Sequence, residues 1–175
     1  MYVRRSIAAT LLLIGLTACS NLPPLVGITL NAAPGRFSEV QANVKVPPGG
    51  SDTTNLVMRF VKLQPSSEWN SAFTTCIQGD DATRDVVCLQ LSVRDGKVVP
   101  SRVVNSDIEE LVPEREMLLS TYEVQNDFQI HVETDQQNAR FSLNGVQLFE
   151  VETVKHPKRI SFICSSAVCA VDLRP

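Results

Sequence analysis

The sequence predicts an all-β chain folded as an antiparallel β-sandwich, with at most one short helix. Three observations lead there. From Phe37 onward, apolar residues recur mostly at every second position in short runs, the period of strands with one buried face. Asp95-Gly96 and Asn144-Gly145 are two-residue turn signals, suited to hairpins that need positive φ at both central residues. Finally, strands do not alternate with long helical patterns, as a parallel sheet would require.

The extreme N-terminus reads as an export signal. Arg4 and Arg5 give a basic start, followed by an apolar run around Leu11, Leu12, Leu13, Ile14 and Leu16. A membrane-crossing helix needs about 20 apolar residues; this run stops at Ser20, Asn21 and Pro23-Pro24. It therefore fits a cleaved signal rather than a span. Leu16-Thr17-Ala18-Cys19 resembles the lipobox of bacterial lipoproteins. The resemblance implies cleavage before Cys19, a diacylglycerol thioether on its sulfur, and acylation of the freed amine by a palmitate-type chain. Two or more chains are what stable anchoring requires, at about 0.8 kcal/mol per buried methylene. Ser20 stands where that family's inner-membrane retention signal often has Asp, which implies the outer membrane, with the domain facing the periplasm. On this reading residues 1–18 are a signal peptide, 19–36 a lipid-anchored tether and 37–175 the sandwich domain.

The tether carries Pro23, Pro24, Gly27, Pro34 and Gly35, a composition that resists regular structure, although Leu25 to Leu30 can pair as a first strand. Val44 and Val46 lead into the breaker Pro47-Pro48-Gly49-Gly50, and Leu56 to Leu63 reads as a strand apolar on both faces. Val87, Leu89, Leu91 and Val93 alternate with Cys88, Gln90, Ser92 and Arg94 as a half-buried strand, and Asp95-Gly96 turns it into Lys97 to Val104. Ser106 and Glu109 are spaced as a capping box before Pro113, predicting a short helix over Ser106 to Val112. Phe128, Ile130 and Val132 share one strand face, and Ala139, Phe141 and Leu143 another. After Asn144-Gly145 come Val146 to Val151, Ile160 to Cys164 and Val168 to Leu173.

Phe141-Ser142-Leu143-Asn144-Gly145-Val146 and Pro157 to Phe162 resemble the C-terminal part of concanavalin-like or laminin-G-like jelly rolls. An immunoglobulin-like sandwich is the alternative. Domains of the first kind bind glycans or proteins and some hydrolyse polysaccharides, so the resemblance implies a fold without choosing a use.

Composition narrows the partners. Removal of residues 1–18 takes Arg4 and Arg5 and no acid, moving the net charge from −3 to −5, which does not point to nucleic acid. About 157 of the 175 residues would remain, enough for one domain with a real core. With Cys19 lipidated, Cys76, Cys88, Cys164 and Cys169 remain for disulfides in an oxidising compartment. Local pairing, Cys76 with Cys88 and Cys164 with Cys169, closes short loops that hairpins can supply. The spacing of the last two departs from the common zinc pattern, so no metal and no cofactor is expected.

Few residues suggest chemistry. Glu150-Val151-Glu152 places two carboxylates on one strand face, yet it lacks the third acid and the middle Asp of the hydrolases that share the jelly-roll resemblance. His131 lies on a polar strand face, His156 precedes Pro157, and no Gly-x-Ser-x-Gly elbow accompanies either. Asp80, Asp81 and Asp85 form an acidic loop without calcium-loop spacing, and Trp69 is the one aromatic candidate for stacking on a sugar. No catalytic site is assigned. The sequence reads as a membrane-anchored binding or scaffolding module of the cell envelope, whose partner is a protein or, alternatively, a glycan, and less readily as a glycoside hydrolase.

Overall fold

The computed structural model describes residues 26–79, 85–105, 107–111, 123–152 and 157–174. Among them are twelve strands and no helix: β1 (Val26–Asn31), β2 (Phe37–Asn43), β3 (Asp52–Leu63), β4 (Ala72–Gln78), β5 (Val86–Arg94), β6 (Lys97–Val104), β7 (Asp107–Glu110), β8 (Phe128–Thr134), β9 (Asn138–Leu143), β10 (Val146–Glu152), β11 (Arg159–Ser165) and β12 (Ala167–Arg174). All pairings are antiparallel, and they form two six-stranded sheets. The first has the order β1-β12-β3-β8-β9-β10, the second β2-β11-β4-β5-β6-β7. The twelve strands exceed the about seven to nine of an immunoglobulin-like sandwich, so the jelly-roll-like reading, rather than that alternative, fits the described residues.

The strand alternation explains the layering. Leu56, Met58, Phe128, Ile130, Val132, Phe141 and Leu143 of the first sheet meet Phe73, Ile77, Leu89, Leu91 and Phe162 of the second in one core. Burial of such side chains is the main source of stability, roughly 1.5–3 kcal/mol each. Phe141 and Phe149 sit opposite each other on β9 and β10 with rings stacked at 4.8 Å. Asp95, Gly96, Asn144 and Gly145 all have positive φ, as their two-residue turns demand.

The structure corrects one expectation, the helix, and refines two others. The short helix over Ser106 to Val112 is replaced, in its described part, by β7, which pairs with β6. A helix that short is costly to nucleate, whereas the open edge of β6 offers ladder bonds at once, and the ion pairs Arg102 with Glu109 and Arg94 with Glu110 hold the added strand. In the segment read as tether, β1 pairs with β12 along its whole length, so the sandwich reaches back to Val26. The residues before it lie outside the described part of the chain, Cys19 among them.

The third concerns the cysteines. Both local disulfides form. Cys76 and Cys88 are direct partners across β4 and β5, as a hairpin supplies. Cys164 and Cys169 instead end β11 and begin β12, strands of different sheets, so their bridge closes an arch that ties the two layers together. Ser166 sits at its apex with φ of 46°. Its hydroxyl accepts the Gly35 N–H at 2.9 Å, and its carbonyl accepts the Gln64 N–H at 2.8 Å and the Ser71 hydroxyl at 2.5 Å. In the chain-entropy account, a bridge over so short a loop contributes about 2 kcal/mol.

Candidate functional site on the outer face of the first sheet

Two adjacent rows stand out among the residues that point away from the core on the first sheet, because antiparallel partners share a face. One row runs Ser142 on β9, His131 on β8, Asn55 on β3 and Arg174 on β12. The next, two residues along β8, runs Glu150 on β10, Arg140 on β9, Glu133 on β8 and Thr53 on β3. A groove of about 510 Å³ overlies the first row, lined by Asn55, His131, Ser142 and Arg174 together with Gln129 and Gly145.

Each row is internally organised. His131 Nδ1 lies 2.7 Å from Asn55 Oδ1. Since an amide oxygen only accepts, Nδ1 is the donor, which leaves Nε2 for a second partner. In the second row the Arg140 guanidinium is gripped from both sides, 3.1 Å from Glu150 and 3.3 Å from Glu133, with Asp135 at 3.8 Å. The field of Glu150 and the hydrogen bond to Glu133 raise the pKa of Arg140, so its charge is fixed. The arrangement alternates donors and acceptors on a rigid sheet, which suits a polyhydroxylated ligand: each hydroxyl both donates and accepts. Of the Glu150 and Glu152 carboxylates, Glu150 is engaged by Arg140.

No protein-family model and no curated protein matches the chain. Solved structures do resemble it. Galectin LEC-6 of Caenorhabditis elegans superposes with a TM-score of 0.50 at 12% identity, over 85% of this chain and 96% of the galectin. The carbohydrate-binding module CBM66 of Bacillus subtilis gives 0.50 at 7% identity, over 83% and 91%. The Crh5 transglycosylase gives 0.51 at 9% identity, over 88% and 76%. The likeness is one of fold alone.

The other residues singled out in the sequence are placed as follows. Trp69 is 42% exposed on the β3–β4 connection, where its N–H donates to the Ser66 hydroxyl and its carbonyl accepts the Ser66 N–H, both at 3.0 Å. It does not line the groove. Glu152 is exposed at the end of β10. The Asp85 carbonyl accepts the Gly79 N–H at 3.0 Å, while Asp80, Asp81 and His156 lie outside the described residues. Among the described residues no three metal-ligating side chains converge. Asn55, Arg140, Ser142 and Arg174 were not singled out in the sequence, because a polar residue at an outward strand position is ordinary until its register is known.

At the end of this face Asp135 closes the β8–β9 turn, accepting the N–H groups of Gln137 at 2.7 Å and Asn138 at 2.6 Å. These bonds, Gln137 first, hold its carboxyl below the usual carboxylate range. A lowered folded-state pKa stabilises the fold fully above the unfolded value of about 4, and the contribution is lost as pH falls through the folded value. Asp135→Asn is therefore expected to be less stable than the parent at neutral pH, by up to about 1 kcal/mol, and equal to it in strong acid. Denaturant titrations at several pH values check this; a deficit that does not shrink on acidification would disprove the carboxylate's role.

Proposed function

We propose that the protein is a glycan-binding module of the cell envelope, held to the outer membrane by lipid on Cys19 and facing the periplasm, with its saccharide site on the outer face of the first sheet. The observation that carries this reading is the pair of polar rows on one sheet face, His131 with Asn55 lining a groove and Arg140 with Glu133 and Glu150 in the row beside it. The galectin and the carbohydrate-binding module named above support a sandwich put to this use, and the lipobox resemblance of Leu16 to Cys19 supports the anchor. With no aromatic side chain among the groove's lining residues, affinity rests on hydrogen bonds. A scaffolding role toward an envelope protein is the second reading, favoured by the exposed Phe37 and Val61.

Calorimetric titration of the soluble domain against a panel of neutral, amino and acidic oligosaccharides tests the first reading. At least one is expected to bind; Arg140→Met is expected to weaken it by about tenfold or more, the scale of a lost hydrogen bond to a charged group, and His131→Ala by about fivefold, the scale of an ordinary one, each variant being folded by circular dichroism. A panel without a binder, or a binder indifferent to both substitutions, would overturn it.

A further inference from the structure

Two residues beyond His131 on the same face of β8, Glu133 lines a second hollow of about 430 Å³. Its walls are the β8–β9 turn, with Asp135, Gln136 and Gln137, and Gly49 to Ser51 of the loop before β3. His131 and Glu133, two positions apart on β8, lie about 7 Å apart, and Asp135 follows in the turn beyond the strand, which sets the two hollows in sequence along one face. The two hollows differ in charge. The first contains His131 and Arg174 and no carboxylate; the second contains Glu133 and Asp135 and no lysine, arginine or histidine.

Arg140 pairs with the carboxylates of the second hollow without neutralising them. It is the shared partner of Glu133, Asp135 and Glu150, so three carboxylates face one cation. Glu133 and Asp135 keep about a third of their side-chain surface open, leaving oxygen lone pairs for a ligand. The Asp135 carboxylate is, in addition, fixed in place by its two backbone donors.

Resting on the saccharide reading above, we propose that the two hollows form one trough for an oligosaccharide of about three sugars, and that the sugar seated at Glu133 and Asp135 carries a free amino group. The ammonium donates to the carboxylates, while the sugar at the other end meets His131, Asn55 and Arg174. A carboxylate-bearing sugar is disfavoured at the Glu133 end by like charge. The trough has direction, so an amine at only one end of the chain is useful.

The probes are chitotriose and its two singly deacetylated forms, with the free amine at one terminus or the other, titrated at about pH 6 and about 20 mM salt, where surface charges are weakly screened. One singly deacetylated trimer is expected to bind about fivefold more tightly than chitotriose, the scale of two partly exposed ion pairs, and the other is not. The advantage should vanish in Glu133→Gln and reverse in Gln136→Lys, a change at an exposed turn position that leaves the β8–β9 turn bonds of Asp135 intact. Equal binding of all three trimers, or N-acetylglucosamine binding as tightly as chitotriose, overturns this inference and leaves the saccharide reading standing. If none of the trimers binds while another glycan of the panel does, the amino-sugar assignment is wrong; if no glycan binds at all, both fall.

Discussion

Phe141→Ala is expected to lower the unfolding free energy by about 3–5 kcal/mol, the range for truncating a buried aromatic. Phe141 is fully buried and stacked on Phe149, and β9 and β10 meet only β8 beyond themselves in the sheet. The hole would thus open where the layer is least supported by neighbours. Against a typical domain stability of about 5–15 kcal/mol, the loss is large. Ser142→Ala, one residue away on the outer face, should stay within about 0.5 kcal/mol. Urea unfolding of both variants decides the matter: a small loss at Phe141, comparable to that at Ser142, would mean that β9 does not pack as described.

Cys19→Ala is expected to move the protein wholly out of the lipidated pool. Without the thiol there is no thioether, and processing of the lipoprotein type should stop with the signal still attached. The effect on lipidation is all or none because the thioether needs the Cys19 thiol and Leu16-Thr17-Ala18-Cys19 holds no other. Fractionation with mass spectrometry of the N-terminus measures the outcome. Mature protein in membranes with an unmodified first residue other than Cys19 would falsify the anchor.

Most of the sandwich was legible because its signals are local. Period-two alternation marks β5, β8 and β9, and Asp95-Gly96 and Asn144-Gly145 fix two hairpins through backbone conformation alone. What escaped depends on distant pairing. Asp107 to Glu110 carries a helix-start pattern, yet the free edge of β6 captures it, and nothing within those four residues announces that edge. The arch at Cys164 and Cys169 looks in sequence like any short hairpin; only the opposite sheets of β11 and β12 distinguish it. The polar face was hidden for a sharper reason. A regular two-residue hairpin at Asn144-Gly145 would set Arg140 opposite Phe149, but Leu148 is bulged out and Arg140 meets Glu150 instead. One extra residue in a strand changes which side chains share a face, so the Glu133–Arg140–Glu150 row follows from the bulge. His131 was noticed as a polar strand residue; its partner Asn55 lies 76 positions away and could be supplied only by the fold.

The pairing of β1 with β12 has a consequence for how this chain can be rewired. Val26 and Leu173 are register partners, so the first and last strands finish side by side at the same end of the sandwich. In a version cut down to the described strands a turn of a few residues would join them, and that version could be opened at the Asn144-Gly145 tip with every ladder preserved, since circular permutation is tolerated where a domain's ends lie close together. The same closeness lets the whole sandwich be spliced into a surface loop of another protein as a cassette, entering and leaving through adjacent strands.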